Sequence, residues 1–393
     1  MRIGIVTHNF PRIHGKGSEA AGNFVVSLCE ALIEAGHTVW ILTPDVNGEK
    51  QKFPFHVEWF CWSGGDRLIG HYKPWNPLHL AKIIDLIRSS SSALNTILQK
   101  KPVDMLLALW AFPSGLICTR RVNRVPLAIW CLGSDIWTFG NYPIGKQIVR
   151  SVLRQATWLY ADGMQLAEDV RILSRKACQF LPTSRKKRTQ ITHHKTKIDS
   201  HFTLLYVGRW EKAKGIDILL KALPVLFAQY PDIRAEIFGG GSLESTVTSL
   251  VQNLQNDYSG RIVIGGYLSE QEFCDRLDSC DIYVIPSRKE SIPIALTDAI
   301  CRCVPVVTST AGDMAKLVQQ YDLGFTFTKC NVTGLIEAIC KAYKQRLSIE
   351  PQKALSFMEK FALESVVKEL ERAGAENPES HHLFNETERY IIR

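Results

Sequence analysis

VGRWEKAKG at residues 207–215 and ESIP at residues 290–293, the second followed by Asp298, are the most informative parts of this sequence. Each stretch follows an apolar run that is typical of a buried strand. Their charged residues therefore lie where strands end and loops or helices begin, which is where open α/β sheets hold ligands. The pattern predicts an α/β protein with its site at the carboxyl ends of parallel strands.

The charges in these stretches suit a particular kind of ligand. Arg209 offers a flat guanidinium and Lys214 a mobile ammonium, and both can neutralise a diphosphate. Glu290 and Asp298 offer oxygen acceptors for sugar hydroxyls. Together they predict a nucleotide-sugar site. Solvated surface charges and helix-end carboxylates are the alternative interpretation.

Composition narrows the class of protein. A chain of 393 residues, 46% hydrophobic, can form two domains of ordinary size. The formal net charge of +8 favours anionic partners such as a nucleotide diphosphate or an acidic lipid surface; we expect no nucleic-acid partner. The eleven cysteines lack C-x-x-C spacing, which favours free thiols in a reducing compartment over disulfides or zinc.

The chain has neither a charged leader nor an apolar stretch of the roughly 20 residues that span a bilayer. We therefore expect a cytoplasmic protein, with at most peripheral contact with the inner face of the cell membrane. Residues 144–160 carry Lys146, Arg150 and Arg154 at helical spacing and could rest on an anionic leaflet. A surface helix with its apolar side in the core is the alternative.

Short apolar runs alternate with helical patterns, as in parallel sheets with crossover helices. Strands are predicted at residues 3–7, 38–42, 105–109, 127–131, 203–207, 235–238, 261–264, 281–285 and 304–307. Helical patterns cover residues 19–35, 80–100 and 354–372. Residues 184–200 are basic and aperiodic, which indicates a linker between two α/β halves.

Further short segments carry a family resemblance. The second half resembles the retaining, GT-B-fold glycosyltransferases of family four. Its matching segments are VGR at 207–209, KG at 214–215, GGG at 239–241, PS at 286–287, Glu290, Pro293 and Asp298. The first half is similar in GKG at 15–17, GHTV at 36–39, WAFPSG at 110–115 and GSD at 133–135.

The resemblance implies two Rossmann-like domains with parallel sheets facing across a cleft. The corresponding division is an acceptor-side domain at residues 1–183, a basic interdomain linker at 184–201, a donor domain at 202–355, and a crossing helix with a tail at 356–393. The implied reaction is transfer of a hexose from a UDP- or GDP-sugar to a carbohydrate or lipid-linked saccharide, with retention of configuration. Its expected use is the assembly of polysaccharides.

The resemblance also implies roles for individual residues. Arg209 and Lys214 would hold the diphosphate, Glu290 would face the donor sugar, and Asp298 would face the ribose. The remaining donor-binding candidates are Gly15, Gly17, Gly208, Gly239, Ser291, Ile292, Pro293 and Ile294. Backbone N–H groups near Pro293 would direct a positive helix end at the phosphates. The chain lacks a D-x-D sequence, so we expect neither a metal nor a cofactor beyond the donor itself.

Acceptor-side candidates lie in the first half: Asp135, His8, His14, Trp62 and Trp75. Helix capping by Asp135 and solvated loop histidines are equally simple interpretations. Three residues depart from the family pattern: Asp298 replaces a glutamate, Leu132 a frequent histidine, and Lys316 a frequent glutamate. A nucleotide-sugar epimerase or a catalytically silent GT-B sugar-binding protein therefore remains an alternative.

Overall fold

The computed structural model describes residues 1–11, 22–45, 52–65, 69, 72–73, 75–120, 125–185 and 201–376. These residues form two compact units. The first contains the described residues up to 185 together with 363–376, and the second contains 201–362. Residues 186–200 of the predicted linker lie outside the described residues.

The first unit is built on a parallel sheet of seven strands in the order β3-β2-β1-β4-β5-β6-β7. The strands are β1 (Arg2–Val6), β2 (Thr38–Pro44), β3 (His56–Phe60), β4 (Met105–Leu109), β5 (Leu127–Cys131), β6 (Trp158–Ala161) and β7 (Gln179–Phe180). In the centre, Ile3 is in register with Val39 of β2 and Met105 of β4. Every residue of β4 and β5 is buried, as expected for a sheet covered on both faces.

Helices connect these strands. They are α1 (Asn23–Glu34), α2 (Pro77–Lys100), α3 (Leu116–Thr119), α4 (Ser134–Trp137), α5 (Pro143–Gln155) and α6 (Met164–Ser174). Helix α2 begins where it does because the Asn76 side chain accepts hydrogen bonds from the N–H groups of Leu78 and His79. Pro77 has no N–H to satisfy and suits the first helical position.

The second unit is built on a parallel sheet of six strands in the order β10-β9-β8-β11-β12-β13. The strands are β8 (Phe202–Arg209), β9 (Ile233–Gly240), β10 (Ile262–Gly265), β11 (Ile282–Ile285), β12 (Val306–Ser309) and β13 (Gly324–Phe327). The helices are α7 (Ile216–Gln229), α8 (Glu244–Asp257), α9 (Glu270–Ser279), α10 (Ile294–Cys301), α11 (Met314–Tyr321), α12 (Val332–Gln345) and α13 (Pro351–Glu359). Ser269 and Glu272 form a capping box at the start of α9.

Both sheets reverse their strand order once. In the first unit the reversal falls between β1 and β4, and in the second between β8 and β11. At such a switch point the loops that follow the two strands leave in opposite directions and open a crevice at the carboxyl edge of the sheet. The fold class predicted from the sequence is therefore confirmed, and it directs attention to these two edges.

The helical pattern over residues 354–372 predicts one continuous helix, and this prediction is wrong. Helix α13 ends at Glu359, and α14 (Leu363–Ala375) starts anew. The break occurs because Phe361 is buried and stacks on Phe357 of α13, with ring centroids 4.6 Å apart. Helix α14 then packs on α1 in the first unit.

The amphipathic stretch predicted over residues 144–160 also divides. Helix α5 ends at Gln155, and Ala156 is extended, with φ −66° and ψ 144°. Strand β6 follows and pairs with β5. Its residues Leu159, Tyr160 and Ala161 are buried, and a short strand buried on both faces shows no polar alternation by which to recognise it. Strands β3, β7 and β13 were missed as well.

Helix α2 is long, with 24 residues. Neither this helix nor any other in the described ranges has the length and apolarity needed to cross a bilayer.

Candidate active site

The carboxyl ends of β8 and β11 bring together the two stretches singled out in the sequence. Strand β8 ends at Arg209, and its neighbour β11 ends at Ile285. A short 3-10 turn, Lys212–Lys214, links β8 to α7, while a loop of residues 286–293 links β11 to α10. Both loops therefore begin at the switch point of the second sheet.

An ion pair joins these loops. Lys214 Nζ lies 2.5 Å from Glu290 Oε2, and the two side chains are only 24% and 15% exposed. Ser287 Oγ donates to the same carboxylate oxygen at 3.4 Å. A partly shielded ammonium can bind an anion, and a carboxylate beside it can accept hydrogen bonds from hydroxyl groups.

Gly215 makes this close approach possible. Its φ is +72°, in the left-handed region, and a Cβ at this position would lie 1.9 Å from the carbonyl oxygen of Pro286. Any other residue would therefore push the start of α7 away from the loop that follows β11. The glycine fixes the separation of the two backbones that carry Lys214 and Glu290.

Arg209 lies at the same edge but makes a different contact. Its Nη1 is 3.1 Å from Glu211, and its side chain is 52% exposed. The Tyr206 hydroxyl donates to the Arg209 carbonyl at 3.2 Å. Burial raises the pKa of this hydroxyl; the charge of Glu290 raises it further, and the charge of Arg209 partly offsets the rise. Tyr206 was not singled out in the sequence, because an aromatic residue in a strand is ordinarily part of the core.

The glycines at this edge bring β8 and β9 close together. Gly208 is in register with Gly239, whose φ is +144°. A Cβ on Gly239 would lie 2.0 Å from the carbonyl oxygen of Gly208. Gly208 and Gly239 were both predicted to bind the donor. In the structure they allow the backbones of β8 and β9 to approach each other closely.

The loop after β11 leads into α10. Proline suits the first turn of a helix, but Pro293 directly precedes the helix: its ψ of 138° is extended, and the helix starts at Ile294. Ser291 and Ile292 are buried. Gly312 packs over this loop, since a Cβ there would lie 2.1 Å from the Glu290 carbonyl oxygen. The positive end of α10 thus follows the loop that carries Glu290.

Asp298 lies on α10, and its exposure is intermediate. Its charge acts on Tyr283 of β11, a buried residue whose pKa is raised mainly by burial. The Tyr283 hydroxyl donates to the Val207 carbonyl at 2.9 Å. Asp298 therefore lies beside the sheet, with its side chain only partly exposed.

Arg288 and Asp217 are two further residues that sequence reasoning missed. Their side chains form two hydrogen bonds, Nη1 to Oδ1 at 2.6 Å and Nη2 to Oδ2 at 2.7 Å. Arg288 is two residues before Glu290, and Asp217 is three residues after Lys214. They are 71 residues apart in the chain, and no spacing pattern predicts such a contact.

In the first unit, His8 and Trp110 meet at the corresponding switch point. His8 follows β1 and Trp110 follows β4, and their ring centroids are 4.6 Å apart. Trp110 is only 9% exposed and has φ +69°, an uncommon conformation for a bulky residue. His14, Gly15 and Gly17 lie outside the described residues.

Asp135 lies in α4, the short helix that follows β5. Its Oδ2 accepts a hydrogen bond from the Ala111 N–H at 2.7 Å, and its Oδ1 is buried without a hydrogen-bond partner among the described residues. Burial raises the pKa of Asp135 to about 6. Gly133 occupies the cap position of α4, and Asp135 lies in the first turn of that helix.

The two tryptophan candidates differ in environment. Trp62 is partly buried against the core, and its ring lies 5.7 Å from that of Tyr72. Trp75 is 65% exposed, and its ring lies 5.8 Å from that of Tyr142. Trp75 is therefore the more accessible flat surface.

The departures from the family pattern have different surroundings. Leu132 directly follows β5 and has intermediate exposure, and Lys316 is exposed on α11.

Within the described ranges, the structure forms no group of three or more His, Cys, Asp or Glu side chains suited to a metal ion.

Comparison with known proteins gives a family match over the second unit. Residues 188–357 match the family model described as Glycosyl transferases group 1. N-acetyl-alpha-D-glucosaminyl L-malate synthase of Bacillus anthracis is 20% identical, over 94% of this chain and 96% of its own. Phosphatidyl-myo-inositol mannosyltransferase of Mycolicibacterium smegmatis is 27% identical, over 86% of this chain and 84% of its own.

Solved structures extend the match in fold to the whole chain. Sucrose-phosphate synthase from Thermosynechococcus elongatus superposes with a TM-score of 0.69 at 16% identity, covering 99% of each chain. HepE from Anabaena in complex with UDP and glucose gives a TM-score of 0.68 at 14% identity, covering 96% of this chain and 100% of its own. Taken together, the matches show a glycosyltransferase of the GT-B fold in which residues 188–357 resemble the Glycosyl transferases group 1 model.

Proposed function

We propose that the chain transfers a hexose from a UDP- or GDP-sugar to a carbohydrate or lipid-linked saccharide, retaining the anomeric configuration and using no metal. The observation that carries this proposal is the ion pair of Lys214 and Glu290 at the switch point of the second sheet, with Nζ and Oε2 2.5 Å apart. A diphosphate ligand needs a cation here, and a sugar needs an acceptor.

The proposed roles follow from charge. The sugar to phosphate bond breaks with negative charge accumulating on the diphosphate, and Lys214, Arg209 and the positive end of α10 stabilise that charge. Lys214 exchanges its contact with Glu290 for the diphosphate, and Glu290 then accepts hydrogen bonds from the donor sugar. Asp298 accepts hydrogen bonds from the ribose hydroxyls. Three positive groups provide the stabilisation that a metal ion supplies in other enzymes.

Retention is proposed to occur through attack on the face from which the diphosphate departs. The acceptor oxygen forms its bond to the anomeric carbon as the bond from that carbon to the phosphate oxygen breaks. The acceptor proton passes to an oxygen of the leaving diphosphate. None of the described residues is assigned as a covalent nucleophile, so one displacement is preferred to two.

On the acceptor side, we propose His8 and Asp135. Both follow strands at the carboxyl edge of the first sheet, and Asp135 Oδ1 is a buried acceptor without a hydrogen-bond partner among the described residues. A sugar hydroxyl would satisfy that oxygen. Trp75 offers an exposed ring for stacking on a saccharide.

We also propose peripheral contact with an anionic membrane through an apolar patch on the first unit. The patch is centred on Trp75 and Tyr142, whose rings lie 5.8 Å apart and which are 65% and 47% exposed. Leu78 and Ile144 follow them closely in the chain and are 75% and 74% exposed. Helix α5 continues from it with Lys146 and Arg154 exposed. Aromatic rings beside cations favour the interface of an acidic bilayer.

Vesicle sedimentation tests the membrane proposal. We expect the wild-type protein to sediment with phosphatidylglycerol vesicles more than with phosphatidylcholine vesicles, and the Trp75→Ala, Ile144→Ala double variant to remain in solution. A matched control is the Val225→Ala, Leu250→Ala variant, which removes side chains 45% and 40% exposed in the second unit. Equal sedimentation of all three proteins would contradict the proposal.

Product analysis tests the transfer reaction itself. The protein is incubated in EDTA with UDP- and GDP-hexoses and a panel of saccharide and lipid-linked acceptors, and the products are assigned by NMR. We expect a new glycoside with the anomeric configuration of the donor. Isomerised free donor would instead indicate an epimerase, and donor binding without a product would indicate a silent sugar-binding protein. Activity that needs an added divalent ion would overturn metal independence.

A further inference from the structure

Arg288 holds together the two loops that carry Lys214 and Glu290. Its guanidinium donates to both carboxylate oxygens of Asp217, at 2.6 and 2.7 Å. Two parallel hydrogen bonds between an arginine and a carboxylate fix orientation as well as distance. Arg288 belongs to the loop after β11, and Asp217 belongs to the first turn of α7.

The backbone adds to this connection. Arg288 Nη1 also donates to the Lys212 carbonyl at 2.7 Å, and the Arg288 N–H donates to the Ala213 carbonyl at 2.7 Å. The loop after β11 is thus tied to the residues directly before and shortly after Lys214. We refer to Arg288, Asp217 and these two carbonyl groups as the loop clamp.

The clamp is partly shielded from water, since Arg288 is 21% and Asp217 is 27% exposed. The Arg288 side chain lowers the pKa of Asp217, and the hydrogen bonds to Asp217 raise the pKa of Arg288 in turn. The Arg288 guanidinium donates to Asp217 and to the Lys212 carbonyl, and Lys214 pairs with Glu290. The effect of the clamp on that ion pair is therefore exerted through the two backbones.

We propose that Arg288 and Asp217 are positioning residues for the donor: the clamp sets the separation of Lys214 and Glu290 so that one can meet the diphosphate and the other the sugar. This inference rests on the proposed function. A clamp that positions charges affects donor affinity and turnover, whereas a merely stabilising ion pair affects only the free energy of unfolding.

The test compares Asp217→Asn with a matched control, Asp232→Asn. Asp232 pairs with Arg346 at 3.3 Å and is 26% exposed, and it also accepts a hydrogen bond from Tyr343 at 2.7 Å. It precedes β9 and so lies at the amino edge of the same sheet, away from the site. The two variants remove similarly exposed charges from the same unit.

Calorimetry with UDP and GDP gives the dissociation constant, transfer assays give KM and kcat, and thermal unfolding gives Tm. We expect Asp217→Asn to weaken binding of the preferred nucleotide about tenfold and to raise the donor KM, as a small misplacement of binding groups should. Asp232→Asn should lower Tm at least as much as Asp217→Asn does, without changing the nucleotide dissociation constant or the donor KM.

A charge exchange separates position from charge. Arg288→Lys, which cannot form two parallel hydrogen bonds, should show part of the binding defect. The double variant Arg288→Asp, Asp217→Arg should recover some of the affinity lost in Arg288→Asp. If the wild type binds nucleotide and Asp217→Asn binds it equally well, the clamp proposal alone is overturned. If the wild type binds neither UDP nor GDP, the proposed function is overturned and the clamp proposal with it.

Discussion

Among single residues, Lys214 is the group on which the proposed chemistry depends most. Replacing it by alanine removes a cation from the developing diphosphate charge and leaves Glu290, only 15% exposed, without its ammonium partner. We predict that Lys214→Ala lowers kcat/KM for the donor about 100-fold or more. Steady-state kinetics measure this loss, and Lys221→Ala, at an exposed lysine on α7, should leave kcat/KM unchanged. Comparable losses in both variants would mean that net charge, not position, matters.

Asp135 provides a prediction about pH. Because its pKa is raised from 3.8 to about 6 in the folded protein, the folded state favours the protonated form. Its contribution to stability is fully present below the unfolded pKa and is lost as pH rises through the folded pKa, by up to about 3 kcal/mol. Asparagine cannot ionise. We therefore predict that Asp135→Asn gains stability relative to wild type between pH 4 and pH 8.

Urea unfolding at several pH values measures this difference. Asp104 is the control with the opposite sign: burial by itself would raise the pKa of its carboxyl group, but the hydrogen bonds from Arg2 outweigh burial and lower it. Asp104→Asn should lose stability relative to wild type above the unfolded pKa of that carboxyl group, and the difference should disappear as pH falls through its lowered folded pKa. A pH-independent difference for Asp135→Asn would show that the buried carboxyl group is not the one that titrates.

The placement of Lys214 and Glu290 after the neighbouring strands β8 and β11 was predictable residue by residue, because each charged stretch follows an apolar run. The contact between Arg288 and Asp217 was not predictable. It depends on a register between loops 71 residues apart, which a single sequence does not encode in any local pattern. Tyr206 was missed for a different reason: a strand tyrosine is usually core, and only the fold places it beside charges.

Among the secondary-structure elements, the start of α7 packs closely against the loop after β11, and this close packing requires a glycine at position 215. Gly215→Ala adds a Cβ at φ +72° and 1.9 Å from the Pro286 carbonyl oxygen. We predict a loss of about 2–4 kcal/mol in the free energy of unfolding, together with weaker nucleotide binding because Lys214 is displaced. Urea unfolding and calorimetry measure the two effects.

Gly260 is the matched control. Its φ is +73°, and, its chain neighbours aside, no heavy atom of the described residues lies within 4 Å of a methyl group added there. Gly260→Ala therefore carries the conformational cost without the clash. It should lose about 1 kcal/mol and bind nucleotide as the wild type does. Equal effects of the two substitutions on binding would contradict the role given to Gly215.

Element prediction succeeded where the pattern was strong. Strands β4 and β5 lie where the apolar runs predicted them, at residues 105–109 and 127–131. It failed at residues 144–160, where helix α5 gives way to the buried strand β6. It failed also at 354–372, where tertiary packing of Phe361 interrupts a helical pattern. At β6 the deciding contacts are distant in sequence, and at Phe361 they depend on burial that periodicity alone does not show.

In the molecule as a whole, the C-terminal helix α14 belongs to the first unit. Leu370 is fully buried, and Glu369 accepts a hydrogen bond from Tyr160 at 3.1 Å. We predict that Leu370→Ala destabilises the first unit by about 2–5 kcal/mol, although residue 370 follows the whole of the second unit in the chain. Leu355→Ala, at a position 45% exposed, should have little effect.

Tryptophan fluorescence can report this loss selectively. Trp210 lies in the second unit, and the other eight of the nine tryptophans lie in the first. In a Trp210→Phe background, the fluorescence transition in urea follows the first unit alone. An unchanged midpoint for Leu370→Ala in that background would mean that α14 does not stabilise the first unit.

The two-unit α/β architecture and the transferase class were both predictable from the sequence, because alternating strands and helices and a few charged segments extend over most of the chain. What the fold adds is a place for the ligand: we infer that a nucleotide diphosphate binds at the switch point of the second sheet. Calorimetry of UDP and GDP in EDTA, with wild type, Lys214→Ala and Arg209→Ala, tests this inference. We predict that the wild type binds one of the two nucleotides and that both variants bind it more weakly, Lys214→Ala the more so. Undiminished binding in both variants would contradict it.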